Sequence, residues 1–317
     1  MNVHDSERLS GLLENRGYEP AQDLDRTDLL VINTCSVRER AAEKLFARLD
    51  RFRNKKLEAR PTIAVTGCVA QQEGDKILSR APMVDVIVGT QALEQLPIAI
   101  ETAEDSGASY VDTNPYDNVS FPISVAKRDD SVKAYITIIE GCNDFCSFCV
   151  VPYTRGRERM RPAAEIMREV KSLAAKGYKE VQLLGQIVNH YQAPDIAECD
   201  FADLLKRLQG VSGIERIRFA SPHPRHVSSQ MIEAVGTLSK VCNHLHLPVQ
   251  SGSTRVLSLM RRRHTRERYL ALIDDVRGRV PGITLSTDVI VGFPGETADD
   301  FEDTLNLVSE VRYHNMF

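Results

Sequence analysis

Two rhythms of apolar positions alternate along the chain. Short apolar runs of strand length are separated by stretches in which hydrophobic residues recur every three or four positions, which predicts a parallel α/β layer. Leu9, Leu12 and Leu13 share one face of a helix over 5–16, and Gly17 is a natural stop. The apolar run 28–33 predicts a strand that ends at Cys35. Ala41, Leu45, Leu49 and Phe52 then mark a helix over 37–53. A second strand over 62–66 ends at Cys68, a third covers 84–88, and a helix follows from about 91 to 102.

Between 104 and 130 the rhythm lapses. Gly107, Asn114, Pro115 and Pro122 among many Asp and Ser residues predict a linker. From 131 it resumes with longer helices, and strands are expected over 134–139, 180–184, 216–220, 244–247 and 283–291. Ile166, Val170 and Leu173 form the stripe of a helix over 163–176 that Gly177 closes. Thr297 opens the last helix with a capping pattern, and Phe301, Leu305 and Val308 are its stripe. Five βα units predict a barrel-like parallel sheet whose site lies at the C-terminal ends of the strands.

Composition changes this picture little. With 317 residues, 42% hydrophobic and 26% charged, the chain suits about two domains. Residues 1–8 hold no apolar core, and no apolar run approaches the roughly 18 residues of a membrane span, so a cytoplasmic chain without membrane contact is expected. Seven cysteines then point to metal or catalytic roles in a reducing compartment rather than to disulfides. A net charge of −4 does not announce a nucleic-acid binder.

Candidate chemistry begins at Cys142, Cys146 and Cys149, spaced C-x3-C-x2-C directly after the apolar run 134–139. Three thiolates around a four-iron cluster leave one iron open, whereas a structural zinc or an ordinary cubane takes four protein ligands. A zinc site completed by a distant residue, or three buried small hydrophobes, are the alternatives. Cys35 and Cys68 each follow a predicted strand, on the edge where open α/β sheets bind ligands. Position alone leaves both metal ligation and simple burial open for them.

The cysteine spacing, with Phe148 before the last cysteine, resembles the radical S-adenosylmethionine enzymes. The longer string 135–162, with Glu140-Gly141-Cys142 and Val150-Val151-Pro152-Tyr153-Thr154-Arg155-Gly156-Arg157, resembles the methylthiotransferases. Asn33-Thr34-Cys35-Ser36-Val37-Arg38-Glu39-Arg40 is similar to the MiaB family of tRNA 2-methylthio-isopentenyladenosine synthases, and the similarity spans essentially the whole chain. The resemblance implies an N-terminal methylthiotransferase domain over 1–103, a linker over 104–130 and a partial (βα)6 radical S-adenosylmethionine barrel over 131–317.

Cys142, Cys146 and Cys149 would hold a [4Fe-4S] cluster whose open iron takes the amino and carboxylate groups of S-adenosylmethionine, with Phe148 beside the nucleoside. Gly185, Gln186 and Asn189 match the family's motif after the second barrel strand, where Ile187 departs from it. Ser221 and Gln250 match segments near the S-adenosylmethionine pocket, and Gly292 lies in Val291-Gly292-Phe293-Pro294-Gly295-Glu296, which a plain β-to-α turn explains nearly as well. No metal role is assigned to His223. The resemblance implies that Cys35 and Cys68 are two ligands of an auxiliary, sulfur-donating cluster. The family's third ligand sits in a Gly-Cys-Gln segment before the stretch with which this chain begins. An incomplete auxiliary site, a missing first strand, an unfinished sixth barrel strand at 314–317 and no TRAM domain are therefore expected.

Arginines 155, 157, 159 and 161, and then 261, 262, 263, 266 and 268, form two clusters. Such runs are usually solvated faces, but the first follows the cysteine loop, so Arg155, Arg157 and Arg159 are candidate contacts to RNA phosphates. The implied reaction replaces the hydrogen on adenine C2 by a methylthio group. That bond is not appreciably acidic, so a carbon radical from S-adenosylmethionine is needed rather than a base. The implied partners are the tRNA anticodon loop and a small electron-donor protein, with the chain a monomer. Sister enzymes acting on threonylcarbamoyl-adenosine or a ribosomal-protein aspartate, and a catalytically dead iron–sulfur-binding remnant, are the alternatives; the string at 35–40 favours the isopentenyl-adenosine branch.

Overall fold

In the computed structural model, residues 1–36, 39–53, 60–114, 126–128 and 130–317 are described; Val37 and Arg38 of the first motif and Pro115 and Pro122 of the expected linker lie outside them. The chain forms two compact units. Met1–Asp129 joins Val150–Gly156 in the first, and Asp130–Cys149 joins Arg157–Phe317 in the second.

The first unit is a parallel sheet of β1 (Leu29–Thr34), β2 (Thr62–Gly67), β3 (Val86–Val88) and β4 (Tyr110–Asp112), in that order. Helices α1 (Asn2–Glu14), α2 (Glu39–Leu49), α3 (Cys68–Glu73), α4 (Lys76–Arg80) and α5 (Leu96–Ser106) connect and cover it. Side chains alternate across the sheet as a period of two requires. Ile63, Val65 and Ile87 pack with Leu45, Leu49 and Ile77, whereas Ala64, Val86 and Val88 pack with Leu9, Leu96 and Ile100. Each buried Val, Leu or Ile among them contributes about 1.5–3 kcal/mol.

Part of the expected linker is therefore regular structure. Helix α5 runs to Ser106, Gly107 ends it in a left-handed conformation (φ 65°), and Val111 then pairs with Ile87 as the fourth strand. A three-residue strand is too short to show a period. Val150–Gly156, expected within the barrel, is held in the first unit. The Arg155 guanidinium pairs with Asp5, and the Thr90 hydroxyl donates to the Thr154 carbonyl.

The second unit contains β5 (Lys133–Thr137), β6 (Ile139–Glu140), β7 (Arg159–Met160), α7 (Ala163–Ala175), β8 (Glu180–Leu184), α8 (Phe201–Gln209) and β9 (Arg216–Phe219), while α6 (Val151–Thr154), between β6 and β7 in the chain, belongs to the first unit. It continues through α9 (Ser229–Thr237), β10 (His244–His246), α10 (Thr254–Leu259), α11 (Arg266–Arg279), β11 (Thr284–Thr287), α12 (Ala298–Val311) and β12 (Asn315–Met316). Strands β5, β8 and β9 form one parallel set and β10, β11 and β12 another, with a parallel bridge from Ile217 to Val241 between them. Six parallel strands thus follow one another in chain order, which is the partial (βα)6 arrangement. The run 134–139 is divided: Ile138 separates β5 from β6, which turns aside to pair with β7 in the opposite direction. The outward side chains Val181, Leu183, Ile217, Leu245 and Leu285 pack with Ile166, Leu204, Ile232 and Ile273 of the helices.

Candidate metal centre

The antiparallel pair β6–β7 closes the excursion that carries the three cysteines, with Glu140 opposite Arg159. Gly141 (φ 82°) and Phe145 (φ 46°) adopt the left-handed turns that bend this loop. Its far side is anchored to the end of α10: the Ser147 N–H donates to the Met260 carbonyl at 3.1 Å and its hydroxyl to the Leu259 carbonyl at 2.9 Å. Cys142 is buried, and Cys146 and Cys149 are half-buried.

Two N–H donors face these sulfurs. The Asp144 amide lies 3.5 Å from Cys142 Sγ, and Arg262 Nη1 lies 3.6 Å from Cys146 Sγ while Nη2 holds the Pro248 carbonyl at 2.9 Å. Burial pushes the Cys142 thiol up to about 11; the Asp144 N–H opposes this, and the Asp144, Cys149 and Cys146 charges add to it. Among the described residues no three Cys, His, Asp or Glu side chains are drawn around a single ion position. One zinc would need its sulfurs only about 3.8 Å apart, from Zn–S bonds of about 2.3 Å. Three thiols on one loop, two of them served by N–H donors, fit an iron–sulfur cluster.

Around the loop, the residues expected to bind S-adenosylmethionine separate into two groups. Ser221 (φ 61°) and Gln250 (φ 76°) are both left-handed at the ends of β9 and β10, a backbone state that non-glycine residues seldom hold without reason. Gln186 Oε1 is buried without a hydrogen-bond partner. Phe148 keeps 38% of its surface exposed.

The other expectations change. Asn189 is engaged by the protein itself: its Nδ2 donates to the His223 carbonyl at 3.0 Å and its Oδ1 accepts from the His223 N–H at 2.8 Å. It splices the ends of β8 and β9, which holds its amide against the protein's own backbone. A Cβ on Gly185 would come within 3.2 Å of Ile139 Cβ and Val188 Cα, so the close approach it permits is to the protein's own turn. The Gly292 N–H is taken by the Glu296 carboxylate, which also accepts from Phe293, and the turn reading holds there. Arg155, expected to face RNA, is 3% exposed and paired with Asp5, whereas Arg157 is exposed and Arg159 half-buried. His223 is buried, and burial first, with Arg262 adding, lowers its pKa to about 2, so it is neutral beside Asp144.

In the first unit, Thr34 and Gly67 are register partners, so Cys35 and Cys68 are the next residues at adjacent strand ends. Cys35 is half-buried and Cys68 buried. Gly67 has no room for a side chain: a Cβ would lie 2.4 Å from Asn33 Oδ1. Asn33 in turn ties down the start of α1, with its Nδ2 donating to the Asn2 carbonyl and to Ser6 Oγ, both at 2.9 Å.

Sequence reasoning missed the polar inner face of the second unit. Gln182, Arg218, His244, His246 and Ser286 line one cavity of about 530 Å³. The signal was present as polar residues two apart, Glu180 and Gln182, Arg216 and Arg218, and His244 and His246, within strands read for their apolar positions.

Among known proteins, the pattern of the Radical SAM superfamily matches residues 136–308, and that of the Uncharacterized protein family UPF0004 matches residues 1–89. A tRNA-2-methylthio-N(6)-dimethylallyladenosine synthase of Syntrophus aciditrophicus is 44% identical over all of this chain and 69% of its own length. One from Thermoanaerobacter pseudethanolicus is 46% identical over 99% of this chain and 67% of its own. The solved radical S-adenosylmethionine methyltransferase TsrM of Kitasatospora setae, bound to tryptophan and an S-adenosylmethionine analogue, shares the fold at a TM-score of 0.72, with 15% identity over all of this chain and 70% of its own. With three thiols on one loop of a six-stranded parallel sheet, and identity this high from end to end, the chain belongs to the radical SAM superfamily and, within it, to the family of the tRNA-2-methylthio-N(6)-dimethylallyladenosine synthases.

Proposed function

We propose that this chain transfers a methylthio group to C2 of N6-dimethylallyladenosine in tRNA, next to the anticodon. The identity of 44–46% to the two synthases over 99–100% of the chain carries this reading. A [4Fe-4S] cluster with one open iron, together with S-adenosylmethionine, supplies the one-electron chemistry that a non-acidic C–H bond requires.

This chain's own groups hold and orient. Cys142, Cys146 and Cys149 are the ligands, with the Asp144 and Arg262 N–H groups steadying the charge on two of the sulfurs. Gln186 Oε1 offers an acceptor to the amino group of S-adenosylmethionine, Phe148 offers a ring face to its nucleoside, and Ser221 and Gln250 shape the strand ends around it. Cys35 and Cys68 are ligands of a second, sulfur-donating cluster. Arg157 and Arg159 meet RNA phosphates. The reading extends to a cytoplasmic monomer served by a small electron-donor protein, with a methylthiotransferase domain over 1–103 and a radical barrel over 131–317. Among the described residues no helix is long and apolar enough to cross a membrane, which agrees with it.

Mass spectrometry of tRNA nucleosides from a methylthiolation-deficient strain expressing this chain tests the reading. The 2-methylthio derivative of N6-dimethylallyladenosine is expected. Its absence, with a methylthio mark on threonylcarbamoyl-adenosine or a ribosomal protein instead, would move the chain to a sister activity.

A further inference from the structure

The turn after α10 carries three consecutive arginines that do not share one environment. Arg261 (φ 58°) and Arg263 (φ 57°) are both left-handed, a backbone state that non-glycine residues hold only where their surroundings impose it. Both are exposed, whereas Arg262 between them is turned inward and keeps 7% of its surface. The same turn is tied to the cysteine loop through Ser147, which donates to the Leu259 and Met260 carbonyls.

A buried cation is ordinarily paired with a carboxylate. Arg263 and Arg225 reach Asp144, at 3.9 and 3.6 Å, but among the described residues Arg262 meets no Asp or Glu oxygen. Its Nη2 holds the neutral Pro248 carbonyl at 2.9 Å, its Nη1 lies 3.6 Å from Cys146 Sγ, and its Nε is buried without a partner. Its charge is felt nearby. After burial, it is the next cause that lowers His223 to about 2 and His264 to about 4, which keeps both rings neutral. The guanidinium therefore faces one sulfur ligand and no anion of its own.

Three thiolates around a [4Fe-4S] core give a centre of net negative charge, and one added electron makes it more negative. That is the anion Arg262 lacks. Net charge and hydrogen bonds to the sulfurs are two of the means by which a protein sets the potential of such a centre. The Asp144 N–H belongs to the backbone and survives any substitution, so Arg262 is the contribution that a mutation can remove. We propose that Arg262 is the built-in counter-charge of the iron–sulfur cluster, favouring its reduced state and so raising the potential that the electron donor has to meet. The step is the passage of one electron: the donor is oxidised, the cluster is reduced, and Arg262 exchanges no proton and forms no bond. The proposal rests on the reading of Cys142, Cys146 and Cys149 as cluster ligands and adds what sets the ease of their reduction.

Anaerobic reconstitution with iron and sulfide, followed by an EPR-monitored titration with titanium(III) citrate, reads the midpoint potential. Arg262→Gln should make reduction about tenfold less favourable, a midpoint lower by about 59 mV for one electron. Arg262→Lys keeps the charge and should stay within about threefold of the unsubstituted protein, and Arg261→Gln on the exposed flank should leave the midpoint in place. An iron-loaded Arg262→Gln with an unshifted midpoint overturns the proposal, as do equal shifts in the Gln and Lys variants, which would trace the effect to the guanidinium's shape. A second measurement needs no cluster. In the iron-free protein Arg262 is a buried charge without an anion, so Arg262→Met should raise the melting midpoint. A lowered midpoint would show that Arg262 serves to hold the Pro248 carbonyl, and the counter-charge would be wrong. If the unsubstituted protein takes up no iron–sulfur cluster, the ligand reading itself fails and takes the counter-charge with it.

Discussion

Ser253 and Asp300 share a buried hydrogen bond in which the Ser253 hydroxyl donates to Asp300 Oδ1 at 2.6 Å. Ser253 is the N-cap of α10, and Asp300 forms a reciprocal capping box with Thr297 at the start of α12. One carboxylate thus sets the openings of two helices and the Gln250–Ser253 segment between β10 and α10. Hydrogen bonds from Arg255 first, then Ser253 and Thr297, hold its pKa well below the ordinary 3.8. A depressed carboxylate contributes stability in full above the ordinary value and loses it as the pH falls towards the lowered one. Asp300→Asn should lower the melting midpoint at pH 7 by roughly 5 °C. Melts between pH 4 and pH 2 should fall less steeply in the variant than in the unsubstituted protein; parallel curves would show that Asp300 is not responsible.

Asp5 and Arg155 make the corresponding test in the first unit. Burial pushes the Asp5 pKa up, but the charge and hydrogen bond of Arg155 outweigh it, and the net direction is down. Removing one partner of a buried ion pair costs about 3–5 kcal/mol, because the other stays buried with its charge uncompensated. Asp5→Ala should shift the urea midpoint accordingly, and Asp5→Leu with Arg155→Met should recover much of the loss. A shift below about 1 kcal/mol would mean that water reaches the guanidinium.

Cys142 gives a pH prediction for the iron-free protein. With its thiol pushed up to about 11, only roughly one part in a thousand is thiolate at pH 8. Iodoacetamide should modify Cys142 at least tenfold more slowly than a free cysteine at that pH, with the rate still climbing at pH 10. Peptide mapping by mass spectrometry reads this directly. Cys142→Ser, Cys146→Ser and Cys149→Ser should each abolish retention of the cluster, seen as loss of iron after anaerobic reconstitution.

Two glycines should respond in opposite directions to alanine. A Cβ on Gly67 would lie 2.4 Å from Asn33 Oδ1 and 2.7 Å from the Thr34 carbonyl, at a φ of +93°. Gly67→Ala should cost about 1–3 kcal/mol and displace Cys68. Gly278, inside α11, has nothing within 4 Å of the added carbon, and Gly278→Ala should gain about 0.5–1 kcal/mol. Urea denaturation of the pair checks both signs.

Much of this was legible in the chain because its signals are local. Leu45 and Leu49, or Ile166, Val170 and Leu173, announce a buried helical face through spacing alone, and the three cysteines declare themselves within eight positions. What stayed hidden depends on partners far away in sequence. Nothing near Arg155 says that Asp5 will claim it, and nothing in Leu184-Gly185-Gln186 and the residues to Asn189 says that the His223 backbone will occupy that amide. The left-handed backbone of Ser221 and Gln250 is set by the strand ends they join. The polar cavity is hidden for a different reason: His244, His246 and Ser286 occupy strand positions that alternate with the apolar ones announcing those strands.

The grouping of Val150–Gly156 with the first unit bears on the order in which the protein is made. Synthesis runs from the N-terminus, and a domain generally folds once its last residues have left the ribosome. Asp5 emerges well before its guanidinium partner, which lies 150 residues further along. Until that arginine arrives, the nascent layer holds a carboxylate that it cannot bury without penalty. By then the ribosome has already released Cys142, Cys146 and Cys149. The N-terminal layer therefore cannot complete itself as an independent early module, and its closure waits for the segment that comes directly after the metal-binding loop.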